Sequence, residues 1–106
     1  MKMKIDYSKL EGAPLIKEAA ERYIEHGIYP GQFLTAVLVN DLTQAITRAD
    51  EASVQNIKQI VMWMIWEIPS IAWGSRDAMN TWINHSGLAG WHELEKNLTV
   101  LKEVTA

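Results

Sequence analysis

Apolar residues recur at intervals of three and four along most of this chain, and proline or glycine interrupts each run. Pro14 stands where a first helix would begin, and Gly27 supplies a left-handed stop at its end. This period is typical of amphipathic helices, and no stretch of useful length alternates as a strand does. The sequence therefore predicts an all-α domain, a compact bundle of four to five helices.

A second and a third helix follow from the same pattern. Apolar residues over 33–49 trace one wide face of a second helix about five turns long. Asp50 is a good N-cap for a third helix, which Pro69 ends. Asn40 and Asp41 interrupt the second helix near its buried face, where a carboxylate needs a donor.

Two shorter helices complete the prediction. Ser75 is placed to cap a fourth helix, which Gly87 and Gly90 close. The last segment carries apolar residues spaced by three, four and three, the narrow seam of a coiled coil. Those residues are Trp91, Leu94, Leu98 and Leu101.

Length and composition indicate one domain over 1–106. We expect an N-terminal extension at 1–12, a helical core at 13–90 and a C-terminal amphipathic helix at 91–106, which oligomerisation could use. The chain has no cysteine, which excludes disulfides and thiolate metal sites. Its net charge of −3 and scattered basic residues argue against general nucleic-acid binding, and no apolar run is long enough to cross a membrane. We expect a cytoplasmic protein without metal or cofactor.

Five tryptophans in 106 residues are the strongest compositional signal. In the second half of the third helix, Met62, Trp63 and Trp66 fall on the side away from the Ile and Val stripe. A helix that is apolar nearly all round has more apolar surface than one small domain covers. The sequence therefore predicts self-association as a homo-oligomer.

The segment Trp73-Gly74-Ser75-Arg76 is the best candidate for ligand recognition. A glycine permits close approach, a helix start with a hydroxyl and a guanidinium favours an anion, and an indole offers a stacking face. The plainer interpretation is also open, because an N-cap, a turn glycine and a tryptophan between helices produce the same pattern.

Other polar residues carry the same two interpretations. Asn40 and Asp41 either point into a ligand pocket or act as structural acceptors, with Asp41 capping Ser75 or an indole. Arg48 is either a partner for a helix C-terminus or a second phosphate contact. Tyr29 and Gly31 belong either to a plain turn or to an anion-binding helix start. The candidate ligand-binding residues are Tyr29, Gly31, Asn40, Asp41, Arg48, Trp66, Trp73, Ser75 and Arg76.

The motifs His26-Gly27 with Pro30-Gly31, Asn40-Asp41-Leu42 and Trp73-Gly74-Ser75 resemble a group of small helical proteins encoded by bacteriophages and prophages. The resemblance covers about residues 20–85. It implies a viral origin and carries no functional residue with it. Small phage proteins of this kind are often counter-defence factors, which sequester a nucleotide signal or occlude a host defence protein.

These observations lead to two main hypotheses. The first is a non-enzymatic counter-defence protein that sequesters a nucleotide-like immune signal as a homo-oligomer. The second is an inhibitor or adaptor that occludes a host defence protein through an exposed apolar helix face. An enzyme ranks below both, because no nucleophile is paired with a base and no carboxylate pair has recognisable spacing. A DNA-binding regulator is weakened by the acidic balance and by the acid within Ser75-Arg76-Asp77.

Overall fold

The structure is a computed structural model that describes residues 4–90, and within them the fold is all-α, as the sequence predicts. Six α-helices and two 3-10 turns are present there, with no strand, and residues 87–90 form a further helical turn. The α-helices are α1 (Pro14–His26), α2 (Gln32–Leu38), α3 (Leu42–Arg48), α4 (Glu51–Gln55), α5 (Ile57–Glu67) and α6 (Arg76–Asn84), and the 3-10 turns are Ser8–Leu10 and Ser70–Ala72. The amphipathic helix predicted at 91–106 lies outside the described residues.

The first helix confirms the prediction from proline and glycine. Pro14 is the first residue of α1, and Gly27 ends it in the left-handed conformation with φ of 68°. The Gly27 N–H donates to the carbonyl of Tyr23 at 2.8 Å, which satisfies one of the free carbonyls at the helix end. Ala20, Tyr23 and Ile24 are fully buried on one face of the helix.

The prediction of one continuous second helix is wrong. Asn40 adopts the left-handed conformation with φ of 67°, and the Asp41 N–H reaches back to the Ala36 carbonyl at 2.8 Å, which is the hydrogen bond of a Schellman helix end. Asp41 then caps α3, because its carboxylate accepts from the Gln44 N–H at 3.1 Å. The hydrogen bond of the Asp41 side chain to the backbone therefore favours a new helix start, although the helical spacing of apolar residues continues across this position. We call this break at residues 39–41 the elbow.

The predicted third helix is also divided. Asp50 caps α4 as expected, accepting from the Ser53 N–H at 2.8 Å, and this backbone hydrogen bond lowers the pKa of the Asp50 carboxyl. At Asn56 the chain leaves α4 and starts α5. The Asn56 side-chain amide donates to the carbonyls of Ala52 at 2.8 Å and Gly12 at 3.2 Å, so it ties the break to the segment before α1.

Helix α5 turns its aromatic residues in two directions. Trp63 is fully buried with Ile60, which corrects the prediction that Trp63 faces away from the Ile and Val stripe. Trp66 does face outward with 69% of its surface exposed, and Ile65 beside it is 48% exposed. Trp63 is buried because the Tyr7 ring covers it, at 5.8 Å between centroids. One indole of this helix therefore belongs to the core and the other to the surface.

Helix α6 begins as predicted and ends earlier. The Ser75 hydroxyl accepts from the Ala78 N–H at 3.1 Å. The helix ends at Asn84, before Gly87 and Gly90, and two left-handed residues follow its end, Ser86 with φ of 67° and Gly87 with φ of 65°. Gly87 also allows α1 and the segment after α6 to approach closely. A Cβ on Gly87 would lie 2.6 Å from the Gly27 nitrogen, so the two backbones are in direct contact.

The core joins α1, α5 and α6 with the N-terminal segment. The Tyr23 hydroxyl donates to the Ala72 carbonyl at 2.7 Å, and the Trp82 indole donates to the Tyr23 carbonyl at 3.0 Å. Ile5 and Leu10, in the segment that we predicted as an extension, are buried in this core. Over residues 4–90, no helix is both long and apolar enough to span a membrane.

Candidate functional site

The segments that meet beside the elbow enclose a cavity of about 170 Å³ with a largely polar wall. Its wall includes Tyr29 from the turn before α2, Thr35 from α2, Asp41 from the elbow, Arg48 from the end of α3 and Arg76 from the start of α6. We call it the polar cavity. Four of these five residues are among those predicted from the sequence.

Local structure explains why these segments converge. Gly31, with a positive φ of 90° that favours glycine, caps α2 and so leaves Tyr29 in the preceding turn. The elbow reverses the chain and returns Arg48 to the same side. The Gly74 N–H donates to the Leu38 carbonyl at the end of α2, at 2.6 Å, and thereby fixes the loop before Arg76.

The charges around the polar cavity are two guanidinium groups and one carboxylate. Within residues 4–90, neither Arg48 nor Arg76 forms an ion pair. Arg48 Nε lies 3.5 Å from Gln44 Oε1, at the outer limit of a hydrogen bond, and both arginine side chains are exposed. The Asp41 carboxylate is already held by a backbone N–H. Both guanidinium groups therefore keep donors for an anion.

Thr35 is the site residue that sequence reasoning missed. Only 7% of it is exposed, and its hydroxyl has no hydrogen-bond partner in the part of the chain that the structure describes. Leaving a buried polar group unpaired costs about 1–3 kcal/mol. A lone threonine among buried apolar residues looks like core in a sequence, and only the fold brings it to the wall of a cavity.

A second cavity, of about 190 Å³, lies against the other side of the elbow and is lined mainly by carbon. Its wall is formed by α3 residues such as Leu42 and Ala45 and by α5 residues such as Val61 and Met64. Asn40 and Asp41 contribute its polar atoms. We call it the apolar cavity.

The remaining predicted residues lie elsewhere. Gly31 caps α2 and Ser75 caps α6, and neither lines a cavity. Trp66 is on the outer surface of α5. Trp73 is half-buried, and its indole N–H is buried without a partner among the described residues. The structure therefore brings Tyr29, Asp41, Arg48 and Arg76 together and offers Tyr29 as the aromatic ring beside them.

Two further observations bear on the chemistry of the site. No group of three His, Asp or Glu side chains in residues 4–90 lies close enough to hold a metal ion. No known protein family, curated protein or solved structure matches this chain.

Proposed function

We propose that this protein binds a small phosphorylated, nucleotide-like ligand in the polar cavity and sequesters it without chemical change. The observation that carries the proposal is the convergence of Arg48 and Arg76, from two helices and without ion pairs in the described residues, on one polar cavity. The wall of this cavity also includes Thr35, whose buried hydroxyl has no hydrogen-bond partner in the described residues.

The donors suit a phosphoryl group. A guanidinium presents a planar fork of N–H groups that matches two oxygens of a phosphate, and charge-assisted bonds of this kind are the strong ones. The Thr35 hydroxyl is buried in the wall, so it can donate to a third oxygen once its side chain rotates toward the cavity. Asp41 carries the opposite charge, so a phosphoryl group would sit toward the arginines.

The size of the polar cavity limits what enters it. A volume of about 170 Å³ lies below the range of roughly 300–1,000 Å³ typical of pockets for drug-sized ligands. The cavity would thus take the phosphoryl group, with the remainder of the ligand outside it. Tyr29 also lines this cavity, with 57% of its surface exposed, and its phenolic hydroxyl can donate to the phosphoryl group.

A counter-defence role and self-association are further parts of the proposal. The resemblance to phage-encoded proteins supports capture of a host nucleotide signal. Exposed Ile65 and Trp66 supply an apolar surface for a second copy of the chain. Light scattering tests this part, and a monomer at tens of micromolar, roughly the range for a weak oligomer, would contradict it.

The same surface favours a second candidate function. An inhibitor of a host defence protein could use Ile65 and Trp66 as its binding face, since tryptophan is enriched among residues that dominate interface energies. A Trp66→Ala variant that loses a stoichiometric host partner, with ligand binding unchanged, would favour this candidate over sequestration.

Thermal unfolding against a panel of cyclic, nicotinamide-derived and simple nucleotides, with inorganic phosphate, tests ligand binding. A ligand at 100 times its Kd stabilises the folded state by about 2.7 kcal/mol, which raises Tm. We expect Arg76→Ala to lose the shift and the matched Arg22→Ala, exposed on α1 and outside both cavities, to keep it.

Two outcomes would overturn this proposal. One is the absence of any shift with the whole panel at millimolar concentration, roughly the limit of weak specific binding. The other is an equal loss of the shift in Arg22→Ala and Arg76→Ala. Chromatography of the ligand after release separates sequestration from catalysis, because a bound and unaltered compound is expected and a product would contradict the non-enzymatic role.

A further inference from the structure

The two cavities share a wall. Ala36 and Asp41 line both of them, so only the elbow and one alanine of α2 separate the polar cavity from the apolar cavity. Each is open to solvent on its own side of the break. The two cavities are therefore neighbours across the elbow.

The chemistry of the two cavities is complementary rather than repeated. The polar cavity holds both guanidinium groups, whereas Val61 and Met64 give the apolar cavity a wall that would penalise a second charge. Each volume alone falls below the usual range for a ligand pocket, and the two together reach it. This pairing fits one ligand with an anionic end and a flat, largely apolar end.

We infer that a single nucleoside monophosphate unit spans the elbow, with its phosphoryl group in the polar cavity and its base in the apolar cavity. This inference rests on the proposed function and specifies the ligand class of the same site. Between the two ends, the Asp41 carboxylate accepts hydrogen bonds from ribose hydroxyls. The Asp41 carboxylate caps α3 through one hydrogen bond, and a carboxylate can accept several, so it can also accept from a neutral hydroxyl donor.

Asn40 completes the arrangement. Its backbone is left-handed, and the residue lines the apolar cavity. An amide offers one acceptor and two donors, the combination that pairs with a base edge. A base there would contact carbon on its faces and the amide on its rim.

Calorimetric titration with inorganic phosphate, ribose 5-phosphate and adenosine monophosphate tests the inference. We expect affinity to rise in that order, by about tenfold or more between the first and the last, because each addition fills another part of the site. Saturating phosphate should compete with the nucleotide, since both use the two arginines.

Variants separate the two ends of the site. Val61 is half-buried on the apolar wall, so Val61→Phe should fill that cavity, weaken nucleotide binding about tenfold and leave phosphate binding unchanged. Val54→Phe, at an exposed position outside both cavities, is the matched control and should alter neither. Ile57→Phe, on the same apolar wall, replaces Val61→Phe if that variant does not fold.

The outcomes are distinguishable. Nucleotide and phosphate binding with equal affinity, or a nucleotide affinity that Val61→Phe and Ile57→Phe leave unchanged, would overturn this inference and leave the proposed anion site standing. If neither phosphate nor any nucleotide binds the unaltered protein, the proposed function and the inference both fail.

Discussion

At the junction of α1 and α6 the buried polar groups satisfy one another, whereas beside the elbow between α2 and α3 they do not. The Tyr23 carbonyl accepts from both Gly27 and Trp82, and the Tyr23 hydroxyl has its own acceptor on Ala72. Beside the elbow, the Thr35 hydroxyl has no partner within residues 4–90.

This difference separates the part that stabilises the fold from the part available for recognition. Paired polar groups at close backbone contact resist opening, so the junction is suited to hold the bundle together. The buried Thr35 hydroxyl lowers the stability of the free protein, while the exposed arginines keep their donors for a ligand. Substitutions in the two regions should therefore act on different measured quantities.

The largest effect should come from Gly87→Ala at the junction. A left-handed residue with a Cβ costs about 1–2 kcal/mol, and overfilling a close contact costs about 1–3 kcal/mol more. Denaturant unfolding should show this loss of stability. Gly74→Ala is the matched control, since its φ of 104° is also positive and no atom lies near its added Cβ. Equal losses in the two variants would show that the Gly27–Gly87 approach is unimportant.

The junction should also weaken at alkaline pH. Burial raises the pKa of the Tyr23 hydroxyl above its ordinary value of 10.0. The unfolded chain therefore releases this proton first, so the contribution is complete below pH 10 and falls as pH rises above it, by up to about 1.4 kcal/mol per pH unit. Denaturant unfolding from pH 8 to 11 gives the free energy of unfolding at each pH. We expect this free energy to fall less with rising pH in Tyr23→Phe than in the unaltered protein. An unchanged slope would contradict this role.

A pair of buried tryptophans gives a smaller and more selective test. Trp63 and Trp82 are both fully buried, but only the Trp82 indole has a hydrogen-bond acceptor identified in the core, the Tyr23 carbonyl. Trp82→Phe should therefore cost about 1 kcal/mol more in free energy of unfolding than Trp63→Phe, the value of one hydrogen bond. If Trp63→Phe costs as much or more, packing rather than hydrogen bonding governs the junction.

The smallest effect on stability should have the opposite sign. Thr35→Val removes a buried hydroxyl without a partner in the described chain and conserves its shape, so it should raise the free energy of unfolding by about 1 kcal/mol while weakening phosphate binding. Thr47→Val on exposed α3 surface loses a bond to the Thr43 carbonyl and serves as the control. If Thr35→Val binds phosphate as tightly as the unaltered protein, the Thr35 hydroxyl does not contribute to phosphate binding.

The sequence predicted the elements whose ends depend on strong local chemistry. Pro14, Gly27, Asp50 and Ser75 each act where they were expected, because caps and turns need only a few neighbouring residues. The break at Asn40 was missed as a helix end, since an asparagine in the left-handed conformation is a weak signal and the apolar period continues across it.

The candidate site was predictable in composition but not in assembly. Arg48 and Arg76 were chosen as possible phosphate contacts on chemical grounds, and nothing in their spacing indicated that they share a cavity. That meeting depends on the reversal at the elbow and on the bond from Gly74 to Leu38, which are tertiary features. The aromatic residue at the site differs for the same reason, because the fold brings Tyr29 rather than Trp73 to the polar cavity.

The uneven exposure of the tryptophans gives the protein an optical reporter of its own. Trp66 stands in solvent, while Trp63 and Trp82 are sealed inside the domain. A water-soluble quencher such as iodide should reach the first ring and spare the other two. Dilution series read by quenching would then register whether another molecule covers the outer side of α5, with no dye or label attached.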